Sequence, residues 1–270
     1  MSTNSSPILL MERDDPAPQE YVIGAGSVVA FSRRSPEKPI NEDGAAILPH
    51  PQGGVLIVAD GMGGQSYGDR ATRATLETLA NCIRSGGPDS ERLRSHLLDG
   101  IEEANRAVQA LGVGAGATLA AVVLREGVAQ PVHVGDSMVL HVGQRGLVKS
   151  LTIPHSPTGY AVEAGLLEAE AALHHDDRHV VSNFVGFDGM RIELGAAQTV
   201  RRHDTLLIAS DGLADNLRLE EIVEIVRKGP LGQAAQRLAA LATQRMRCPA
   251  LEQPSKPDDL TFLLFRRGAD

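Results

Sequence analysis

The chain has 270 residues, of which 42% are apolar and 3% aromatic, and its formal net charge is −8. The apolar share is enough to bury a sizeable core, while no apolar run approaches the roughly 18 residues that a membrane-crossing helix needs. Acidic balance repels phosphate backbones and scarce aromatics offer little base stacking, so nucleic acid is excluded as an expected partner, as is a membrane.

In chain order, residues 1–20 are rich in Ser, Pro and acids. They lack the basic stretch and apolar run of a signal peptide, so they read as a disordered lead-in to a cytoplasmic protein. Residues 21–31, 44–48 and 54–59 read as strands. Leu76, Leu79, Ala80 and Ile83 recur at helical spacing, and Gly86-Gly87-Pro88 ends that helix. A second helix carries Leu93, Leu97, Ile101, Ala104, Val108 and Leu111 on one face. Residues 117–125, 130–135, 138–142 and 147–151 form a strand meander broken by glycine turns. Residues 153–190 are irregular, with a helical patch at 160–173. Short strands return at 191–194, 197–200 and 205–209. Two more amphipathic helices follow, through Leu219 to Val226 and Leu231 to Ala242, and the last strand is 260–265. Cys82 and Cys248 are too few and too far apart for a disulfide framework or zinc site, and Cys82 reads as a buried helix thiol. Strands bunch and helices pair without βαβ alternation. That pattern predicts an α+β fold of antiparallel sheets with helices on their outer faces, as one domain over residues 21–268.

The chemistry concentrates where apolar runs end. The run 55–59 stops at Asp60-Gly61-Met62-Gly63-Gly64, and 205–209 leads to Ser210-Asp211-Gly212. Val134-Gly135 leads to Asp136-Ser137, and Asp258-Asp259 precedes the run 260–265. Glycine lets the backbone turn and approach a ligand closely. Asp60 offers a carboxylate and Gly61 a bare carbonyl, both hard oxygen donors suited to Mg²⁺ or Mn²⁺. A single Asp-Gly is a common turn pair. Two buried strands ending in one, with acids at the start of an antiparallel third, bring several carboxylates to one sheet edge. Such a gathering is costly without a cation. Asn41-Glu42-Asp43 adds two more acids at the start of another strand.

These segments, with Gly116-Ala117-Thr118 and Asp258-Asp259-Leu260-Thr261, occur in an order that resembles the metal-dependent protein phosphatases of the 2C type. Met62, the compact length and the lack of long insertions resemble its bacterial members. The resemblance implies a four-layer sandwich of two antiparallel β-sheets flanked by helix pairs. It implies two Mn²⁺ or Mg²⁺ ions bridged by Asp60, with the Gly61 carbonyl on one ion, Asp211 and Asp258 on the other, and Glu42 or Asp43 in support. It implies a weaker third site at Asp136 and a supporting place for Asp259, where the family more often has Asn. The implied activity is hydrolysis of phosphoserine and phosphothreonine on proteins by a dimetal-activated water, with Asp60, Asp211 and Asp258 as the catalytic acids. A monomer acting opposite a serine/threonine kinase system is the implied setting.

The chain departs from the family pattern at three informative places. Met62 stands where some members have a proton-donating His, so a metal-bound water takes over as donor. Lys38 stands where an Arg usually grips the phosphate, and Arg33 or Arg34 is the alternative grip. Pro154-His155-Ser156 replaces Asp-His-Ser ahead of the flap, residues 153–190, where specificity is expected. In that flap His174-His175 beside Asp176-Asp177 reads as an exposed polar loop rather than a metal site. Two other classes compete. A catalytically silent phosphoprotein-binding module of the same fold would have lost ligand carboxylates, and none of the main ones is missing. A phosphoesterase for small molecules would turn over a metabolite ester faster than any phosphopeptide.

Overall fold

The computed structural model describes residues 6–24, 26–62, 67–173, 175–251 and 253–268. Gly63 and Gly64 of the first glycine motif, and His174, lie outside the described residues. The chain opens with β1 (Ile8–Met11), β2 (Gln19–Ile23), β3 (Gly26–Arg33), β4 (Asp43–His50) and β5 (Gly53–Met62), followed by α1 (Gly68–Ser85) and α2 (Leu93–Gln109). Next come β6 (Gly116–Arg125), β7 (Val128–Val134), β8 (Met138–Val142) and β9 (Val148–Leu151), then the short α3 (Pro157–Glu163) and α4 (Ala169–Ala172). The last third holds β10 (Glu193–Leu194), β11 (Gln198–Thr199), β12 (Thr205–Ala209), α5 (Asp211–Ala214), α6 (Leu219–Val226), α7 (Leu231–Arg247) and β13 (Leu260–Arg267).

One sheet runs β1-β4-β5-β6-β7-β10, with β11 also on β7; the other runs β2-β3-β13-β12-β8-β9. The described strand pairings within both are antiparallel. The strands read as continuous apolar runs because both faces of each sheet are covered. Val55, Ile57 and Ala59 of β5 pack with Leu76 and Leu79 of α1 and Leu97 and Ile101 of α2. The alternate positions Leu56 and Val58 pack between the sheets, against Ile208 of β12 and Leu263 of β13. The far faces of β12 and β13, through Leu207, Ala209, Phe262 and Leu264, meet α6 and α7. The helix–sheet–sheet–helix order expected of the sequence is the order observed.

Three local readings need correction. Residues 1–20 are not a uniform disordered lead-in: β1 pairs β4 and β2 pairs β3. Leu10 enters the inter-sheet core, and a buried Leu of this kind contributes about 1.5–3 kcal/mol. The turn between β1 and β2 is held by Asp15, which is buried and accepts from Arg13 Nε at 2.9 Å, Gln19 Nε2 at 3.2 Å and the Ser32 N–H at 3.3 Å. Four-residue and five-residue strands among Ser, Pro and acids leave almost no periodic signal. Second, residues 21–31 are not one strand but the end of β2 and most of β3, separated where Gly24 takes φ +52°. Third, Cys82 is half-buried rather than buried, because it sits at the edge of the α1–α2 contact.

Asp204 ties the turn before β12 to the edge of its sheet. Its carboxylate accepts from the Arg201 N–H at 2.7 Å, from His141 Nε2 at 3.1 Å and from Lys149. Burial pushes its pKa up, but Lys149, the Arg201 N–H and His141 outweigh burial and hold it below the usual carboxylate value. A depressed carboxylate stabilises the fold above its unfolded pKa of about 4, and that contribution is lost as pH falls through the lower folded value. Asp204→Asn is therefore expected to cost about 1–3 kcal/mol at pH 7, with the gap from the parent closing below about pH 4. Urea unfolding at pH 7 and pH 3 checks this, and an equal gap at both would contradict it.

Candidate metal centre

The same alternation that fills the inter-sheet core places the acids. Leu56 and Val58 face the other sheet, so Asp60, two residues further, shares their side at the strand's end. Ala45 and Ile47 of β4 likewise put Asp43 on that side, and the register pairs Asp43 with Asp60. In the opposite sheet Leu263 and Phe265 face inward, which puts Thr261 and Asp259 in line with them. At this one end of the sandwich the apolar filling gives way to carboxylates and hydroxyls.

Hydrogen bonds close the end of the core. Ser210 donates its hydroxyl to Asp43 Oδ2 at 2.7 Å, bridging the two sheets. Ser32 and Thr261 share a hydroxyl contact of 2.8 Å, and Asn41 Nδ2 reaches Ser32 Oγ at 3.0 Å. Asp259, 1% exposed, accepts from the Ser35 N–H at 2.7 Å and the Glu42 N–H at 2.9 Å. Those bonds give Asp259 a bracing role. Glu42 in turn accepts from the Gly68 N–H at 3.2 Å, and its carbonyl accepts from the Gly61 N–H at 3.2 Å. The glycines are required by close approach: a Cβ on Gly61 would meet the Gly68 carbonyl oxygen at 2.2 Å, and one on Gly212 would meet the Asp259 carbonyl oxygen at 1.8 Å.

Because β13 runs antiparallel to β12, Asp258 arrives beside Asp211 at the start of α5. The ammonium of Lys256 lies 2.7 Å from Asp211 Oδ2, 2.8 Å from Asp215 Oδ2 and 3.0 Å from Asp258 Oδ2. Lys38 Nζ lies 3.0 Å from Asp258 Oδ1, 3.2 Å from Asp259 Oδ2 and 3.3 Å from Glu42 Oε2. Two ammoniums thus stand among carboxylates that outnumber them. Burial, then Asp43 and Asp211, pushes the Asp60 carboxyl well above its ordinary pKa. Burial, then Asp259, does the same to Asp43. Burial and Asp211 push Asp136 up to about 7 and Asp215 up to about 6. Only Asp258 goes the other way: burial would raise it, but Lys256 and Lys38 outweigh burial.

Such mutual repulsion is the signature of a site short of positive charge. Asp43 Oδ1 and Asp211 Oδ1 are buried with no hydrogen-bond partner among the described residues. An all-oxygen donor set with orphaned carboxylate oxygens fits a hard divalent cation. Asp43, Asp60, Asp136, Asp211, Asp258, Glu42 and Gly61 all belong to this end of the molecule. Arg33 does not. Its guanidinium is held by the Asp15 carbonyl at 2.7 Å and the Pro16 carbonyl at 3.1 Å, and it stacks over Phe31. The expectation that Arg33 grips phosphate is therefore corrected: the N-terminal turn, unforeseen in the sequence, engages it. Arg34 is engaged similarly, by the Lys38 carbonyl and Asp14. Lys38 remains.

Sequence reasoning missed Asp215 and Lys256. Asp215 has the spacing Asp211-x-x-x-Asp215, one helical turn, once α5 is recognised. Lys256, between prolines two residues before Asp258, carries no local signal that sets it apart from a loop lysine.

A second group of possible ligands, His133, His155 and Glu193, sits at the base of the flap with ligand atoms within 4.8 Å of one another. Its hydrogen bonds argue against a metal. His155 Nδ1 faces the Gly135 N–H at 3.0 Å and the Asn183 amide nitrogen at 2.7 Å, so it accepts. Asn183 is oriented by the Arg191 N–H and carbonyl. The His155 proton therefore sits on Nε2 and is donated to Glu193 at 3.0 Å. In the flap itself His175 Nδ1 caps a short turn at Asp177, as an exposed loop residue does.

Against known proteins, the model of the protein phosphatase 2C family matches residues 33–253. A chain of Streptococcus pyogenes serotype M6 named as a 2C-type protein phosphatase is 31% identical over 201 residues, covering 71% of this chain and 80% of its own. The serine/threonine phosphatase stp of Listeria monocytogenes serotype 4b is 26% identical over 197 residues, covering 69% of this chain and 77% of its own. Among solved structures, the serine/threonine phosphatase of S. agalactiae superposes with a TM-score of 0.75 at 27% identity, covering 89% of this chain and 99% of its own.

Proposed function

The chain belongs to the protein phosphatase 2C family, and on that premise we propose that the acid cluster at the end of its sandwich is the metal-dependent centre of a serine/threonine protein phosphatase. One observation carries the assignment to these residues. Carboxylates from five separate chain segments converge at one end of the inter-sheet core, with Asp43 Oδ1 and Asp211 Oδ1 left without partners among the described residues. Asp60 and the Gly61 carbonyl, with Asp211 and Asp258, would hold two Mn²⁺ or Mg²⁺ ions, and Asp136 would serve a weaker third. When bound, such ions acidify a water and offset the negative charge that gathers on phosphoryl oxygens.

The chain's own residues do the rest. Asp43, anchored by Ser210, and Glu42, anchored by the Gly68 N–H, support the ligand acids from β4. Asp259 spends its oxygens on backbone N–H groups, fixing the start of β13 and so the position of Asp258. Lys38 is one-third exposed at the rim and presents a point charge to a substrate phosphate. Met62 has no proton to give, so the leaving oxygen takes its proton from water. The same reading takes residues 8–267 as one catalytic domain, since β1 belongs to the first sheet. It takes the protein as a cytoplasmic monomer working opposite a serine/threonine kinase. No helix among the described residues is long and apolar enough to cross a membrane.

Release of phosphate from phosphothreonine peptides with Mn²⁺, against the same reaction in EDTA, tests the proposal. Turnover only with the metal is expected. Tight peptide binding without turnover in saturating Mn²⁺ would overturn it in favour of a silent binding module. Lys38→Ala is expected to lower kcat/KM by about ten- to a hundredfold, chiefly through KM, as loss of a charged hydrogen bond does. Lys38→Arg should recover most of that loss. An unchanged KM in Lys38→Ala would reduce Lys38 to a counter-ion of Asp258.

A further inference from the structure

The Lys256 side chain is not a surface lysine that has drifted onto acids. Its backbone is clamped from both sides by Asn216, which is fully buried: Asn216 Nδ2 donates to the Lys256 carbonyl at 2.8 Å, and the Lys256 N–H donates to Asn216 Oδ1 at 3.0 Å. Asn216 Nδ2 also reaches the Gly212 carbonyl at 2.9 Å, so the clamp is part of the turn that carries Asp211 and Asp215. Ser255, one residue before, donates to the Arg245 carbonyl at 2.8 Å, and Pro257 follows. The backbone at Lys256 is thereby fixed beside the acids, and its ammonium lies 2.7–3.0 Å from Asp211, Asp215 and Asp258.

Two of those three carboxylates, Asp211 and Asp258, are the proposed ligands of one ion. A hard divalent cation needs their oxygens at roughly 2.0–2.2 Å, in the space that the ammonium fills. Asp211 Oδ1 has no partner among the described residues, but both Asp258 oxygens are engaged, Oδ2 by Lys256 and Oδ1 by Lys38 at 3.0 Å and the Asp259 N–H at 2.9 Å, so an ion held by this pair takes Asp258 Oδ2 from the Lys256 ammonium. Resting on the metal-centre reading above, we infer that Lys256 is a tethered counter-ion which occupies the Asp211–Asp258 position in the metal-free protein and must withdraw when the metal binds. Two consequences follow from charge alone. The metal-free acid cluster is held together by a cation that the chain carries with it. Metal affinity is set lower than the carboxylates alone would make it, because each binding event displaces Lys256 from the two ligand carboxylates. Lys38 differs: two of its three partners, Asp259 and Glu42, are braces rather than ligands of that ion, so its removal does not vacate the position.

The test is titration of Mn²⁺ into chelator-stripped protein by calorimetry, for the parent and for Lys256→Met, which keeps the length and removes the charge. Lys256→Gln is a second neutral variant should the first fold poorly, and Lys256→Arg keeps the charge. The neutral variants are expected to bind Mn²⁺ at least about tenfold more tightly than the parent, and Lys256→Arg to stay close to it. The stripped neutral variants should also melt about 5 °C or more below the stripped parent, with the difference abolished by saturating Mn²⁺. Unchanged or weaker Mn²⁺ binding in both neutral variants, with the parent still binding, overturns the inference and leaves the metal centre standing. No Mn²⁺ binding by any of the proteins overturns the metal centre and the inference with it.

Discussion

Asp211→Asn is expected to reduce Mn²⁺-dependent phosphate release by at least about a thousandfold, equivalent to about 4 kcal/mol of lost transition-state stabilisation. The substitution preserves shape and replaces an anionic oxygen by an amide, which a hard divalent ion holds weakly. Folding is expected to move the opposite way. Asp211 raises the pKa of Asp60, Asp136 and Asp215 by like-charge repulsion. Relief of that repulsion should leave the melting temperature of the chelated protein equal to or above that of the parent, since Lys256 keeps Asp215 and Asp258 as partners. Loss of activity with preserved or improved stability separates a functional acid from a structural one. Retention of more than a tenth of the activity would remove Asp211 from the centre.

Gly212→Ala is expected to be severely damaging. The new Cβ would lie 1.8 Å from the Asp259 carbonyl oxygen and 3.0 Å from its carbonyl carbon. Both are backbone atoms at the start of β13, so nothing flexible can yield. Overpacking of this kind costs roughly 3 kcal/mol or more, and the melting temperature should fall by about 6–12 °C. The damage is directional, because separating α5 from β13 moves Asp211 away from Asp258, and Mn²⁺ affinity should drop with stability. Gly229→Ala is the control. It adds a Cβ at φ +78° with nothing within 4 Å, so only the left-handed backbone strain of about 1 kcal/mol is expected. Equal melting temperatures for the two variants would show that α5 and β13 are not packed as described.

Both predictions rest on features that the sequence discloses unequally. The carboxylates were legible because they sit at the ends of long apolar runs. Asp60 follows Val55 to Ala59, and Asp211 follows Leu206 to Ala209, and the period-two alternation of a strand decides which positions of each run face inward. Pairing was legible within the hairpins β6–β7 and β8–β9, but the expected meander breaks between them, where the chain crosses from one sheet to the other. The N-terminal strands were not. β1 spans four residues, and its evidence is the register with β4, a long-range fact with no local trace. That omission carried Arg33 into the phosphate-binding candidates, because Asp15 and Pro16, whose carbonyls engage it, belong to the turn between the unforeseen strands. Lys256 escaped for a different reason. A lone lysine between prolines has the composition of a solvated loop. Its role depends on Asn216, forty residues earlier, clamping its backbone beside Asp211.

The most direct test of the metal centre is anomalous diffraction at the manganese edge from crystals grown with Mn²⁺. The account predicts anomalous peaks at the end of the inter-sheet core, one against Asp60 and the Gly61 carbonyl and one against Asp60, Asp211 and Asp258, with the Lys256 ammonium displaced. Manganese bound instead at His133, His155 and Glu193, or no peak among the acids at saturating metal, would contradict it.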